Sequence, residues 1–342
     1  MNTYRLIFLG FGNVGRELAR MLLNKTAELE ERYSITWTVT GIATAHHGMA
    51  VNPTGIDLES ALALANAGKS LSALSRSSPV DVLDCIRLSG GNVLFENTPV
   101  NHQNGQPAID YIRTALELGM HVCTANKGAV VHGYRELRDL ARKMGVQFFF
   151  ETTVMDGVPI FSLFREIVPC LRLLSFTGIL NSTTNIILSR MEAGESFVDA
   201  LRYCQQMGFT ETNSSADIDG WDAAVKVAAL VTVLMDTPYT PQQVARIGIS
   251  GITEEMVRSK LNEGMRYKLI CSAAREGNAV VARVSPETVS DSSPLYHLQG
   301  STSYIQFSTD LLGDLAIMEL NPGPRTTAYG LLADFINAIR TG

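Results

Sequence analysis

The sequence predicts an α/β protein in two parts, a doubly wound parallel sheet followed by an α+β region on a mixed or antiparallel sheet. Three observations lead there. A short apolar run at residues 5–9 ends in GFGNVG and passes into a helical pattern carried by Leu18, Met21 and Leu22. Strand-like and helix-like segments then alternate through residue 150, the pattern of parallel strands joined by helical crossovers. From residue 171 the alternation gives way to long β runs, several helices and a hairpin signal at Gly277-Asn278.

The first half can be justified element by element. Gly10 permits a tight turn after the first strand, Gly12 lets the backbone approach phosphates, and Gly15 lets the helix pack on its strand. Strand, glycines and helix in that order are what a dinucleotide pyrophosphate requires; the plain alternative is a glycine turn. The second strand, residues 36–43, should end beside the adenosine ribose, where Thr44, Ala45, His46 and His47 follow and no Asp or Glu stands. A carboxylate there would bond the ribose 2′-hydroxyl and repel a 2′-phosphate, so its absence favours NADP(H) while leaving NAD(H) open. Thr44 and His46 either meet that phosphate or are loop residues only.

Residues 58–68 and 71–74 read as helical, and 80–83 and 93–96 as short strands, the latter followed by Asn97, Thr98 and Pro99. An amphipathic helix at 107–118 is closed by Gly119, and a strand at 121–123 leads into TANKG. Ligands gather outside the carboxyl ends of parallel strands, where Asn97, Thr98 and Lys127 fall. Lys127 is then a substrate or cofactor contact, or an exposed loop lysine. After a helix at 134–144 and a strand at 146–150, ETTVMDGVPI makes a sharp loop whose carbonyls and carboxylate either surround a hard cation or simply turn the chain.

In the second half, a β run at 171–180 enters NSTTN, a hydroxyl- and amide-rich turn that opens a helix. Helices at 197–207 and 223–235 follow, then strands at 267–274, 279–284, 303–308 and 315–320 and an amphipathic helix at 326–340. The chemistry concentrates at 208–235, an acidic segment running into a helix that is apolar around almost its whole circumference and carries one charge, Lys226. Asp219 is expected as its N-cap with Asp222 three residues on, and Asp222 and Lys226 are i and i+4. An ammonium held out of water beside carboxylates can have a tuned pKa and exchange a proton with a substrate. The other reading has the two acids capping the helix and Lys226 reaching solvent.

Composition bounds the function. The chain has 342 residues, 46% hydrophobic and 18% charged, long enough for two cores. Its net charge of −6 comes from mixed signs without a basic block, which argues against nucleic acid and anionic membrane as partners. Five cysteines, an odd number without CxxC spacing, read as the reduced thiols of a cytoplasmic protein. No secretory pattern opens the chain, and the apolar run at 227–235 is too short to span a bilayer.

Together and in this order, GFGNVG (10–15), HVCTANK (121–127), ETTVMDGVPI (151–160), GILNSTTNIIL (178–188), GFTETNSSADIDGWDAAVK (208–226) and PGPRTTAYGLLAD (322–334) resemble homoserine dehydrogenase over almost the whole chain. The specific parts are GILNSTTN and the ExxxxxDxxxxDxxxK spacing of Glu211, Asp217, Asp222 and Lys226. The resemblance implies a Rossmann-type dinucleotide-binding domain at 1–135, a catalytic and dimerisation domain at 146–320, a terminal helix at 324–342 packed back on the first, and a homodimer. It implies NAD(P)-dependent interconversion of L-homoserine and L-aspartate 4-semialdehyde in threonine, methionine and isoleucine biosynthesis. By motif, Lys226 stands for the general acid/base lysine and Lys127 for a second active-site lysine. Glu211 and Asp222, with Asp217 beside them, stand for the carboxylates that bind the substrate's amino end. Phe11, Gly12, Asn13, Val14, Thr98 and Gly323 fall where cofactor contacts are expected, joining Gly10, Gly15, Thr44 and Asn97. Glu151, Val154, Asp156 and Val158 fall on a sodium-binding loop, the last three through backbone oxygens.

The chain also departs from the family's pattern. Ser182 stands where glycine is usual, Glu211 lacks the common Asp-Pro two residues on, and Asp156 replaces a smaller residue. The regulatory ACT domain of longer members is not expected, nor threonine feedback through it. Two rival readings use the same motifs: a dehydrogenase of a related small amino-acid alcohol or semialdehyde, and a non-catalytic NAD(P)-binding regulator.

Overall fold

The computed structural model describes residues 2–210 and 213–340, in two compact units: Met1–Pro159 with Gly323–Gly342, and Ile160–Pro322. In the first unit β1 (Asn2–Leu9), β2 (Ile35–Ala43), β3 (Met49–Ile56), β4 (Val93–Glu96), β5 (His121–Thr124) and β6 (Phe148–Phe149) form one sheet in the order β3-β2-β1-β4-β5-β6. Every pairing is parallel except that of β3, which runs antiparallel to β2. The sheet order therefore reverses at β1 and β4, the switch point at which doubly wound sheets bind ligands. The helices are α1 (Asn13–Asn24), α2 (Thr26–Tyr33), α3 (Leu58–Asn66), α4 (Val82–Ser89), α5 (Ala108–Glu117) and α6 (Lys127–Met144).

Two elements differ from expectation. The chain after β2 does not cross over but turns straight back into β3, through a turn in which the Thr44 N–H donates to the Gly48 carbonyl at 3.1 Å. Residues 80–83, expected as a strand, lead into α4 instead: Asp81 caps it by accepting the Asp84 N–H at 2.7 Å, and Cys85 and Ile86 face the core. A short apolar run does not by itself distinguish a strand from a buried helix.

In the second unit β7 (Leu173–Ile179), β8 (Ala245–Arg246), β9 (Met265–Glu276), β10 (Ala279–Ser290), β11 (Ser303–Thr309) and β12 (Asp314–Glu319) form a sheet in the order β12-β11-β7-β9-β10-β8. Only the β8–β10 pairing is parallel. Its helices are α7 (Ser182–Glu192), α8 (Phe197–Gln206), α9 (Ser215–Ile218), α10 (Trp221–Leu234) and α11 (Glu254–Asn262). α10 packs on β9 and β10, and its residues 223–225 and 227–232 are buried, so Lys226 interrupts an otherwise apolar rod. Asp219 is not the cap of α10. It closes α9, and Gly220 at φ +76° starts α10 in the left-handed region that a side chain resists.

The last helix, α12 (Pro324–Arg340), belongs to the first unit and packs along α1. Its Phe335 is fully buried against Tyr4 and Phe95, and Phe95 in turn meets Phe8 on β1. Burying such a ring contributes roughly 2–3 kcal/mol, so the helix is fastened by its own sequence. The unit's boundary lies after Pro159, beyond residue 146, because β6 pairs with β5 and the Glu151 N–H donates to Asp334 of α12 at 2.9 Å. Among the described residues no helix is long and apolar enough to cross a membrane, and all five cysteines are free.

Candidate functional site

The first unit gathers the dinucleotide candidates at the carboxyl ends of β1, β4 and β5. Gly10 has φ +85°, and a Cβ on it would come within 2.3 Å of the Asn97 carbonyl oxygen; one on Gly15 would come within 2.5 Å of the Gly10 carbonyl oxygen. Both glycines are required by close backbone packing. Gly12 differs: it is exposed, and a Cβ there would meet nothing within 4 Å. The fold does not need that glycine, whereas a ligand approaching the backbone would. Gly12 precedes α1, whose N-terminus has no side-chain cap and no acid in its first turn, leaving its N–H groups unopposed for phosphate.

The remaining candidates divide by what they can offer. Phe11 is buried edge-on against Phe8, and Val14 packs against the same core, so both present backbone rather than side chain. Asn13 accepts from Arg16 at 3.1 Å. The Thr44 hydroxyl is engaged within its turn, donating to the Gly48 carbonyl at 3.0 Å and accepting the His47 N–H at 2.7 Å. Both polar atoms of the Asn97 side chain are buried without a hydrogen-bond partner among the described residues, which suits a ligand carrying a donor and an acceptor. Thr98 donates its N–H to Glu96 at 2.9 Å. Lys127 is not a loop lysine but the half-buried first residue of α6, capped by Asn126. Gly323 donates its N–H to Asp156 at 2.6 Å and has open space where a Cβ would stand, so it offers close approach rather than a donor. Orphaned amide, open glycine and uncapped helix together fit an NAD(P) cofactor.

The candidate cation loop lies in the same unit. Glu151 and Val154 are buried, and Asp156 has φ +39°. The Asp156 carboxylate accepts the Gly323 N–H and the hydroxyls of Thr326 at 2.6 Å and Thr327 at 2.9 Å, so its side chain fastens the loop to the start of α12. Among the described residues no backbone N–H donates to the carbonyls of Val154, Asp156 or Val158. Three carbonyls and the Glu151 carboxylate in one loop are the donor chemistry of a hard cation. No cluster of three or more His, Cys, Asp or Glu, such as a transition metal would select, occurs among the described residues.

The second unit gathers the charged candidates. Lys226 Nζ donates to the Leu180 carbonyl at 2.6 Å and lies 3.5 Å from Asp222 Oδ2, one turn earlier on α10; each side chain is 17% exposed. The ammonium is thus turned inward to the end of β7 rather than out to solvent. Asn181 follows Leu180 and caps α7, its Oδ1 accepting the Thr184 N–H at 2.9 Å. The same amide donates through Nδ2 to Asp217 at 2.7 Å and Asp222 at 3.1 Å, and the Thr210 hydroxyl donates to Asp217 at 2.6 Å. Two carboxylates joined by one amide, with a lysine 3.5 Å from one of them, have the chemistry to accept a cationic ligand group beside an amine able to carry a proton. Glu211 lies outside the described residues. Cys271, buried on β9, has its thiol pushed up to about 12 by burial, which removes it as a nucleophile. Ser182 is the first residue of α7, with its hydroxyl donating to the Ser301 carbonyl at 3.0 Å; helical backbone has no need of glycine there.

Sequence reasoning missed Asn181 as the link between the acids and Glu96 as the partner of Thr98. The NSTTN turn is conspicuous for its polarity, but an amide reaching 36 and 41 residues along the chain leaves no local signal.

Known proteins match along the same lines. A family model described as the NAD-binding domain of homoserine dehydrogenase matches residues 10–151, and one described as homoserine dehydrogenase matches residues 159–336. The NAD(+)-dependent homoserine dehydrogenase of Pseudomonas canavaninivorans is 33% identical over 340 residues, covering 98% of this chain and 96% of that protein. The homoserine dehydrogenase of Methanocaldococcus jannaschii is 34% identical over 334 residues, 97% of each. Among solved structures, a putative homoserine dehydrogenase from Archaeoglobus fulgidus superposes with a TM-score of 0.86 at 28% identity over 98% of each chain.

Proposed function

The chain belongs to the homoserine dehydrogenase family of oxidoreductases, and from that premise we propose that it interconverts L-homoserine and L-aspartate 4-semialdehyde with NAD(P), Lys226 acting as general acid and base. The reading places the reaction in the cytoplasmic synthesis of threonine, methionine and isoleucine. It rests above all on Lys226, the lone cation of α10, held 3.5 Å from Asp222 in a cluster that Asn181 extends to Asp217. The bound nicotinamide supplies the hydride acceptor or donor. In oxidation a neutral Lys226 takes the hydroxyl proton as the carbinol carbon gives up its hydride; in reduction the ammonium steadies the developing alkoxide and protonates it. Glu211 and Asp222, with Asp217, pair with the substrate's ammonium, and Lys127 is the second reaction lysine. The measurement is the change in nicotinamide absorbance with homoserine. Lys226→Ala should lower kcat by on the order of a hundredfold or more while cofactor still binds. Near-normal turnover in that variant would remove Lys226 from the mechanism, and no turnover of homoserine by the wild type would remove the substrate assignment.

For the cofactor we favour NADP, because no carboxylate ends β2 and Thr44-Ala45-His46-His47 follows it. The Pseudomonas relative is NAD(+)-dependent by name, so the ratio of kcat/KM for the two cofactors decides: equal or inverted values overturn the preference. A sodium ion on Glu151, Val154, Asp156 and Val158 predicts that replacing sodium with a bulky organic cation lowers activity or melting temperature; no change in either removes the ion. The assembly we propose is a homodimer, supported by exposed Met318 and Leu320 at and just past the end of the edge strand β12. Light scattering returning a single-chain mass would discard it.

A further inference from the structure

Glu96 ends β4 with its side chain fully buried, and it is not among the residues to which the family resemblance assigns a role. Its carboxyl oxygens meet donors from the loop after β4 and from the last residue of β5. Oε1 accepts both the N–H of Thr98, at 2.9 Å, and the Thr98 hydroxyl; Oε2 accepts the Thr124 hydroxyl at 2.7 Å. Thr124 Oγ1 in turn accepts the Asn126 N–H at 2.9 Å, and Asn126 Nδ2 donates back to the Thr98 carbonyl at 3.2 Å. Asn126 also caps α6 by accepting the Gly128 N–H at 3.1 Å, which fixes the turn carrying Lys127. Burial raises the carboxyl pKa, and the hydrogen bonds from Thr98, Thr124 and Asn126 offset only part of that rise, so the contacts on its two oxygens rather than its charge define the role of the group.

We propose that Glu96 is a positioning residue for the cofactor half of the reaction, a buried carboxyl group that straps the loop after β4 to the end of β5 and so sets Thr98 and, through Asn126, Lys127 in mutual register. Thr98 lies in the loop after β4 and Lys127 opens α6 just after β5, yet those two short strands pair over only four residues. Backbone pairing alone therefore fixes the strands and not the turns beyond them; the strap carries the alignment past the last rung of the sheet. The inference deepens the proposed function, since it takes Thr98 as a cofactor contact and Lys127 as a reaction residue.

The test is fluorescence titration with reduced cofactor, alongside steady-state kinetics, on wild type, Glu96→Ala, Glu96→Gln and Thr124→Val. Glu96→Ala releases both loops, so cofactor Kd should rise and kcat fall by on the order of tenfold each, with KM for homoserine within about threefold of wild type. Glu96→Gln keeps an acceptor for Thr98 and can donate to a rotated Thr124 hydroxyl, so it should recover both quantities to within about threefold. Thr124→Val cuts the Oε2 strap and removes the acceptor of the Asn126 N–H but leaves Thr98 on Oε1, so it should give a smaller loss in the same direction, and it decides the question if Glu96→Ala does not fold. Alanine and valine variants that keep Kd and kcat within about twofold of wild type would overturn the role, and so would a glutamine variant as impaired as alanine. Cofactor titration needs no substrate, so a wild type that binds cofactor but leaves homoserine untouched would end the enzyme assignment and still let the Kd values decide on the strap.

Discussion

The glycine turn before α1 and the acidic approach to α10 are built from opposite materials. In the first, backbone does the work: Gly10 and Gly15 are pressed against carbonyl oxygens, Gly12 is left open, and α1 begins without a cap. In the second, side chains from the end of β7, from α9 and from α10 converge on one another, with Asn181 as the hinge of the cluster. A site made of backbone tolerates changes in its side chains but not an added Cβ. A site made of side chains has the reverse sensitivity.

Substitutions at the glycines test this contrast most severely. Gly10→Ala forces a Cβ to 2.3 Å from a carbonyl oxygen at φ +85°, so it should lower stability by several kcal/mol and abolish cofactor binding. Gly12→Ala has room for its Cβ in the free protein and should leave the melting temperature nearly unchanged while raising cofactor Kd by roughly tenfold or more. Thermal melts and cofactor titration of the pair separate the two kinds of glycine. If Gly12→Ala bound cofactor as wild type does, the opening above that residue would not be where the pyrophosphate comes.

On the other side of the comparison, Asn181→Ala removes the donor shared by Asp217 and Asp222 and also the cap of α7. The two acids would lose their common orientation, and kcat/KM for homoserine should fall by on the order of tenfold to a hundredfold, about 1.4–2.7 kcal/mol. Cofactor Kd should stay as it was, because the dinucleotide candidates at Gly10, Gly12 and Thr98 are in the other unit. An equal loss in cofactor affinity would mean that the cluster acts through the fold rather than on the substrate.

The same contrast explains how much could be read from the sequence. The glycine turn was legible because strand, glycines and helix are neighbours in the chain, and the Asp222–Lys226 pair because a helix puts i and i+4 side by side. The antiparallel β3 was not legible: Met49–Ile56 contains Pro53 and Gly55 and lacks the alternation that marks a strand. Nor was the start of α10, since Asp219 looks like a cap until Gly220 is seen to turn the chain after it. Asn181 and the link from Glu96 to Thr124 escaped for one reason, that the partners Asp217 and Thr124 are 36 and 28 residues distant and only the fold brings them together.

Asp156 offers the finest test, because there backbone and side chain oppose each other in one residue. Its φ of +39° is a conformation that a Cβ makes costly, while its carboxylate gathers the Gly323 N–H and two threonine hydroxyls at the start of α12. Alanine keeps the unfavourable dihedral and loses the clasp, so Asp156→Ala should destabilise by about 1–2 kcal/mol. Glycine loses the clasp too but relaxes the dihedral, by up to about 1 kcal/mol, so Asp156→Gly should melt between alanine and wild type. Differences of about 2 °C per kcal/mol are within reach of calorimetry in a chain of this length. Were Asp156→Ala to melt with the wild type, the clasp would contribute nothing and α12 would be held by Phe335 and its neighbours alone. Were glycine to fall below alanine, the dihedral would be no strain at this position, and the loop's shape would have to come from the carbonyls of Val154, Asp156 and Val158 instead.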